Sequence, residues 1–361
     1  MPEALKTRFF TKESIQKFAD EICKEYTDFD DKKFLKLVYS EDWEAKELKA
    51  KMFHATICLH ETLPKHYLSA LEILIKTAPQ IKGFEAMVLP DFVEQYGIDH
   101  WNESLAALKE FTKYSSSEFA IRPYIIANAE KAMKHMLKFA SHNNEHIRRF
   151  ASEGCRPRLP WAMALPILKK DPSLIIPILE KLKRDKSEYV RRSVANNLND
   201  ISKDNPETVL ELCENWYGNT KDTDWIVKHA CRGLLKSGNK RAMLLFGFGD
   251  PKNLEVSSLK LDEINVKIGS DLHFSFQLNN KNKKDAKIRL EYRMYFMKAN
   301  GKQSGKIFQI SEKQHKPGKY TVKKKHSFKN LSTRKHYPGE HEIGIVVNGV
   351  EKGKMNFSVY T

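Results

Sequence analysis

Paired cysteines are missing from this chain. Its five cysteines, Cys23, Cys58, Cys155, Cys213 and Cys231, are scattered, odd in number and absent from the last third. No CxxC pair occurs, so neither a disulfide framework nor a structural zinc site is expected. Also missing is any apolar stretch long enough to cross a bilayer, and Met1 to Phe10 lacks the apolar core of a secretory leader. The expected location is therefore cytoplasmic, away from membranes. With 361 residues, 41% of them hydrophobic and 30% charged, the composition is that of a soluble globular protein with room for two domains.

Charge is present in excess, and it is unevenly placed. The net charge is +16. Residues 251–361 hold 23 basic and 10 acidic side chains, a net of +13, so the first 250 residues keep only +3. A segment this basic fits a polyanion, with nucleic acid first and an anionic membrane surface second. A merely well-solvated basic surface is the bland alternative.

The hydrophobic period changes along with the charge. Up to about Gly238 apolar residues recur at helical spacing, as in Ile15, Phe18, Ala19, Ile22 and Tyr26. From Val256 the period is two. Leu272, Phe274, Phe276 and Leu278 alternate with polar residues, as do Ile288, Leu290, Tyr292 and Met294. So do Ile343, Ile345 and Val347, then Met355, Phe357 and Val359, with Asn348-Gly349 as a hairpin signal between them. Gly247, Gly249 and Pro251 mark a linker. The expected fold is α + β multidomain: helical repeats over 1–250, then an all-β immunoglobulin-like sandwich over 251–361 without the inter-sheet disulfide.

The helical part repeats. The segment His146-Ile147-Arg148-Arg149-Phe150-Ala151 is echoed 43 residues later by Tyr189-Val190-Arg191-Arg192-Ser193-Val194. Trp225-Ile226-Val227-Lys228-His229-Ala230 follows after another 36. Such periods suit a solenoid of HEAT-like helix pairs, whose stacking lines up equivalent positions. Arg148, Arg149, Arg191, Arg192, Lys228 and His229 would then form a basic stripe for DNA. Arg122, Arg156, Arg158 and Arg232 would join it, with Lys283, Lys284 and Lys324 from the basic domain. Solvated edges of ordinary repeats are the plainer alternative.

Carboxylates interrupt this stripe. Glu118 and Arg122, Arg149 and Glu153, and Arg192, Asn196 and Asp200 are spaced by four, each set on one helix face. Such pairs are common and weak on surfaces. Acidic residues on a face built for phosphates nevertheless reduce its affinity, so they need a reason to be there. Glu153 precedes Gly154, where its helix is expected to stop, with a new helix starting near Pro160. His54, Cys58 and His60 lie close together, but they read as core and surface positions of one amphipathic helix. Cys155 has no accompanying His and reads as a small packing residue.

The run Ser152-Glu153-Gly154-Cys155-Arg156-Pro157-Arg158-Leu159-Pro160-Trp161-Ala162 resembles the signature of the AlkC family of DNA glycosylases. Ser116-Ser117-Glu118-Phe119-Ala120-Ile121-Arg122-Pro123 and the run from Val190 to Asp200 resemble its flanking motifs. The family is similar in fold to the HEAT-like AlkD, and some members carry an immunoglobulin-like extension. The resemblance implies excision of 3-methyladenine and 3-methylcytosine from double-stranded DNA without extruding the base. It implies Glu118, Glu153 and Asp200 as active-site carboxylates, Trp161 as a wall of the pocket, and Arg149 and Arg156 as holders of the DNA. It implies a monomer with no metal and no cofactor. The rival readings are a non-catalytic nucleic-acid-binding HEAT scaffold, in which Glu153 and Asp200 are ion-pair partners, and a HEAT protein–protein adaptor, which would show no salt-dependent DNA binding.

Overall fold

The computed structural model describes residues 8–40, 42–331 and 334–361. Most of the N-terminal segment that lacks a leader-like core lies outside the described residues. Two compact units form, Met1–Ala230 and Cys231–Thr361. No helix among the described residues is long and apolar enough to cross a membrane.

The first unit is helical. Its elements are α1 (Lys12–Glu25), α2 (Asp31–Val38), α3 (Leu48–Thr62), α4 (Tyr67–Thr77), α5 (Val88–Tyr96), α6 (Trp101–Phe111) and α7 (Arg122–Ala127). Then come α8 (Ala129–Phe139), α9 (Glu145–Glu153), α10 (Pro166–Lys170), α11 (Ile176–Leu182), α12 (Glu188–Ile201), α13 (Pro206–Trp216) and α14 (Lys221–Ala230). The caps explain where they start. Thr11 Oγ1 accepts from the Ser14 amide before α1, and Asn144 Oδ1 accepts from the His146 and Ile147 amides before α9. Ile15, Phe18, Ala19 and Ile22 of α1 are buried, the face read from the sequence. The three repeated segments fall on α9, α12 and α14, and α12 packs against both of the others. The described part of the chain thus has the expected helical repeats.

Among the described residues the second unit carries eight strands: β1 (Leu254–Leu261), β2 (Asn265–Lys267), β3 (Asp271–Asn280), β4 (Ala286–Met297), β5 (Gln303–His315), β6 (Gly318–Ser327), β7 (Gly339–Val347) and β8 (Val350–Tyr360). One sheet has the order β1-β3-β6 and the other β2-β8-β7-β4-β5. Every pairing is antiparallel except β2 with β8. The alternating residues of β3, β4, β7 and β8 fill a core shared by both sheets. Asn348 and Gly349 both have positive φ, 45° and 82°, the backbone of a two-residue hairpin turn between β7 and β8.

The change of period puts the domain boundary at residues 250/251, but the compact units divide at 230. The helices α15 (Arg232–Ser237) and α16 (Lys240–Leu245) group with the strands. Lys287 Nζ donates to the Phe246 carbonyl at 2.9 Å, and Asn348 Nδ2 donates to that of Gly249 at 3.0 Å. A helical period reports local structure and says nothing about which core a helix joins.

Candidate active site

Three elements meet around the carboxylates. Glu118 lies in the turn before α7, Glu153 is the last residue of α9, and Asp200 is near the end of α12. All three are buried. Two arginines join them into a line. Arg149 donates two hydrogen bonds to Glu118, at 3.1 and 3.2 Å, and its guanidinium lies 3.4 Å from Glu153 Oε1. Arg156 donates to Glu153 Oε1 at 2.7 Å and to Asp200 Oδ2 at 2.9 Å. Ser193 donates to the second Glu153 oxygen at 2.6 Å, and Lys203 to the second Asp200 oxygen at 3.2 Å. Three acids thus alternate with two guanidiniums. Burial works against the charges of Arg149 and Arg156, but the facing carboxylates outweigh it and hold both above the usual arginine range. Removing either arginine would leave buried carboxylates uncompensated, a cost of about 3–5 kcal/mol.

The spacing of Glu118 and Arg122 predicts a pair on one helix face. The structure corrects this, because Glu118 precedes the helix and pairs with Arg149 instead. Arg122 is 0% exposed, and burial lowers its pKa to about 10. It donates to the carbonyls of Gly154, Arg156 and Met163 at 3.3, 3.0 and 2.6 Å. It is a strut beneath the signature loop, and this correction removes it from the candidate DNA contacts.

Arg148 and Arg191 are corrected for a related reason. Arg148 donates to both oxygens of Asp185, ahead of α12, and to the carbonyls of His142 and Asn143. Arg191, its repeat equivalent, lies 3.0 Å from Asp222 of α14 and donates to the Asp185 carbonyl. The first arginine of each pair therefore ties its repeat to the next, and the stripe keeps only part of its predicted charge. Arg192 is the outward one, its side chain 59% exposed and paired with Glu188. Arg158 is partly exposed beside Asp204. Lys228 and His229 are half-buried, His229 stacking on Trp225 and sharing a 3.0 Å hydrogen bond with Asn196. Arg232 is half-buried at the start of α15, in the second unit.

The sequence predicts a helix from about Pro160. The structure has a turn there instead, and α10 starts at Pro166. Trp161 has φ 66°, a left-handed conformation that costs a bulky residue about 1–3 kcal/mol and cannot continue a helix. The loop is closed by the Leu165 amide on the Pro157 carbonyl at 3.2 Å. Trp161 is 63% exposed, with Met163 and Ile167 also exposed nearby in sequence. Burial pushes the Cys155 thiol up to about 12, so it serves packing. His54, Cys58 and His60 all lie on α3, where His54 contacts the Leu37 carbonyl and Cys58, and His60 stacks on Tyr96.

Sequence reasoning missed four supporting residues. Ser193 holds Glu153. Asn197 donates to the Ser152 carbonyl at 2.8 Å, fastening α12 to α9. The Tyr189 ring lies 5.0 Å beneath the Arg149 guanidinium. Lys49 of α3 donates to the Trp161 carbonyl at 2.8 Å. The spacing of Tyr189, Ser193, Asn197 and Asp200 on one face of α12 is a signal that could have found three of them. Nothing local marks Lys49. In the second unit Lys283 and Lys284 are exposed in the β3–β4 turn, and Lys324 is exposed on β6, an edge strand.

A family model described as DNA alkylation repair enzyme matches residues 96–234. A second, described as the C-terminal Ig-like domain of uncharacterised protein YhaZ, matches residues 255–361. The chain is 45% identical over 353 residues to the uncharacterized protein YhaZ of Bacillus subtilis (strain 168), covering 97% of this chain and 98% of that one. It also matches the structure of the Pseudomonas fluorescens alkylpurine DNA glycosylase AlkC, bound to DNA containing an abasic site analog. That match has a TM-score of 0.93 and 36% identity, over 99% of this chain and 100% of that chain.

Proposed function

The chain belongs to the AlkC family of DNA glycosylases, and on that premise we propose that it excises cationic alkylated bases, 3-methyladenine and 3-methylcytosine, from duplex DNA. The observation that carries this reading is the line of three carboxylates and two arginines from Glu118 to Asp200. The acids outnumber the guanidiniums by one, and the half-exposed Lys203 ammonium meets the third acid at Asp200.

The chemistry suits such a site. A 3-methylated adenine is positively charged while bonded to its sugar and leaves as a neutral molecule, so no general acid is required. The glycosidic bond breaks with its electron pair going to the base. What needs help is the oxocarbenium-like sugar and the water that attacks it. Carboxylates stabilise the first by charge, and one oxygen accepts the proton of the second. The same charges favour a cationic lesion over a neutral base. Trp161, exposed on its loop, is assigned as a wall for the lesion, and excision without base extrusion goes with the family. Arg158, Arg192 and the lysines of the second unit are assigned to backbone phosphates.

A second reading has an observation of its own. Every carboxylate of the line is ion-paired, as a non-catalytic nucleic-acid-binding scaffold would have it. One experiment separates the two: single-turnover incubation with duplex DNA carrying 3-methyladenine. Release of free base at a rate far above the spontaneous one supports the glycosylase. Tight binding without release supports the scaffold.

A further inference from the structure

The signature loop is held from two sides by cations acting on main-chain carbonyls. Arg122 takes the Met163 carbonyl from beneath, at 2.6 Å, and is wholly buried. Lys49 takes the Trp161 carbonyl at 2.8 Å and is exposed. The left-handed turn is at Trp161, the residue whose carbonyl Lys49 holds. Such a turn persists only where its surroundings over-determine it. Lys49 also spans to the turn that carries Glu118, since its ammonium lies 4.9 Å over the ring of Phe119, the next residue.

We propose that Lys49 is a positioning residue: by bonding the Trp161 carbonyl and resting on Phe119, it fixes the indole relative to Glu118 for the lesion. This deepens the glycosylase reading and rests on it. Lys49 lies 112 residues from Trp161 in sequence, in a helix that supplies none of the carboxylates. Its loss leaves an exposed carbonyl that water can satisfy, so the chain keeps its fold while the loop gains freedom. A small misplacement of a group that orients the substrate is enough to slow the chemistry.

The test uses the full chain. Lys49→Met should lower the single-turnover excision rate roughly tenfold, and Lys49→Arg should restore most of it. Affinity for undamaged duplex, its salt slope and the thermal midpoint should stay unchanged. In a Trp161→Ala background, Lys49→Met should add no further loss, because Lys49 acts through Trp161. An additive loss in that background, or a salt slope lowered by about one, makes Lys49 a phosphate ligand and overturns the proposal. So does an unchanged rate. A second readout needs no excision. The time-resolved fluorescence anisotropy of Trp161, taken as the difference between each protein and its Trp161→Phe counterpart, should show faster indole motion in Lys49→Met. Unaltered motion overturns the tether whether or not the chain excises bases. Freed motion in a chain that releases no base supports the tether and sinks the glycosylase reading alone.

Discussion

Arg149 reaches across 31 positions of sequence to grip Glu118 with two hydrogen bonds, at 3.2 and 3.1 Å. The same guanidinium faces Glu153 at 3.4 Å, so the two acids share one cation. Arg156 repeats the arrangement between Glu153 and Asp200. Glu153 is therefore the hinge of the line, touched by both arginines and by Ser193. Substitutions along it should couple and should not add.

Glu153→Gln should lower base excision by roughly 10²-fold or more, while duplex affinity stays equal or rises. The amide oxygen can still accept from Arg156 or Ser193, so the fold should survive. The measurement is single-turnover release of 3-methyladenine beside a binding titration. Full activity would remove Glu153 from the mechanism.

Arg122→Met should destabilise the first unit by about 3 kcal/mol, because buried carbonyls lose a charged donor. Arg122→Lys should rescue little, since one ammonium cannot copy a fork that reaches three carbonyls. The salt slope of DNA binding should not change. A urea titration read by helical content measures the first effect. A lower slope with intact stability would return Arg122 to the DNA-binding face.

The lysines of the second unit should act oppositely. Replacing Lys283, Lys284 and Lys324 together by Ala should leave stability alone and weaken duplex binding at physiological salt. The log–log salt slope should fall by about one for each phosphate that is no longer neutralised. The competing role is protection of the β6 edge from aggregation. If affinity and slope hold while the triple variant aggregates, that role is the right one.

Acid should loosen the second unit. An ordinary histidine titrates near 6.5, but His326 is lowered to about 4, by burial first and then by His336 and Arg334. Tyr292 OH pairs with its Nδ1 at 2.9 Å, while Nε2 is buried with no hydrogen-bond partner among the described residues. As pH falls, the unfolded chain binds this proton before the folded chain does. Stability is full above about pH 6.5 and drains away down to about pH 4, by roughly 3 kcal/mol from this residue. His336 and His341 are lowered too, by burial, and add in the same direction. Urea midpoints of the second unit at pH 7 and pH 5 measure the effect. A midpoint that does not move, or that moves equally in His326→Gln, would show that this histidine is not responsible.

The period of the sequence determined the secondary structure well. Alternation at Leu272–Leu278, Ile288–Met294 and Ile343–Val347 became β3, β4 and β7, because a strand puts every second residue into the core. The echo of Ile147-Arg148-Arg149 in Val190-Arg191-Arg192 became two helices packed together. The motifs named Glu118, Glu153 and Asp200 as candidates, but of the expected pairs at a spacing of four only Arg149 with Glu153 formed. What each arginine does was not legible. Arg148, Arg149, Arg191 and Arg192 read alike, yet two brace neighbouring repeats, one joins the carboxylate line and one faces solvent. Helix spacing fixes which side of its own helix a residue occupies, but the packing of α9 on α12 decides what stands opposite. The left-handed turn at Trp161 was hidden for the same reason. Its carbonyl is held by Lys49 from a helix 112 residues away, a bond that exists only once the chain has folded.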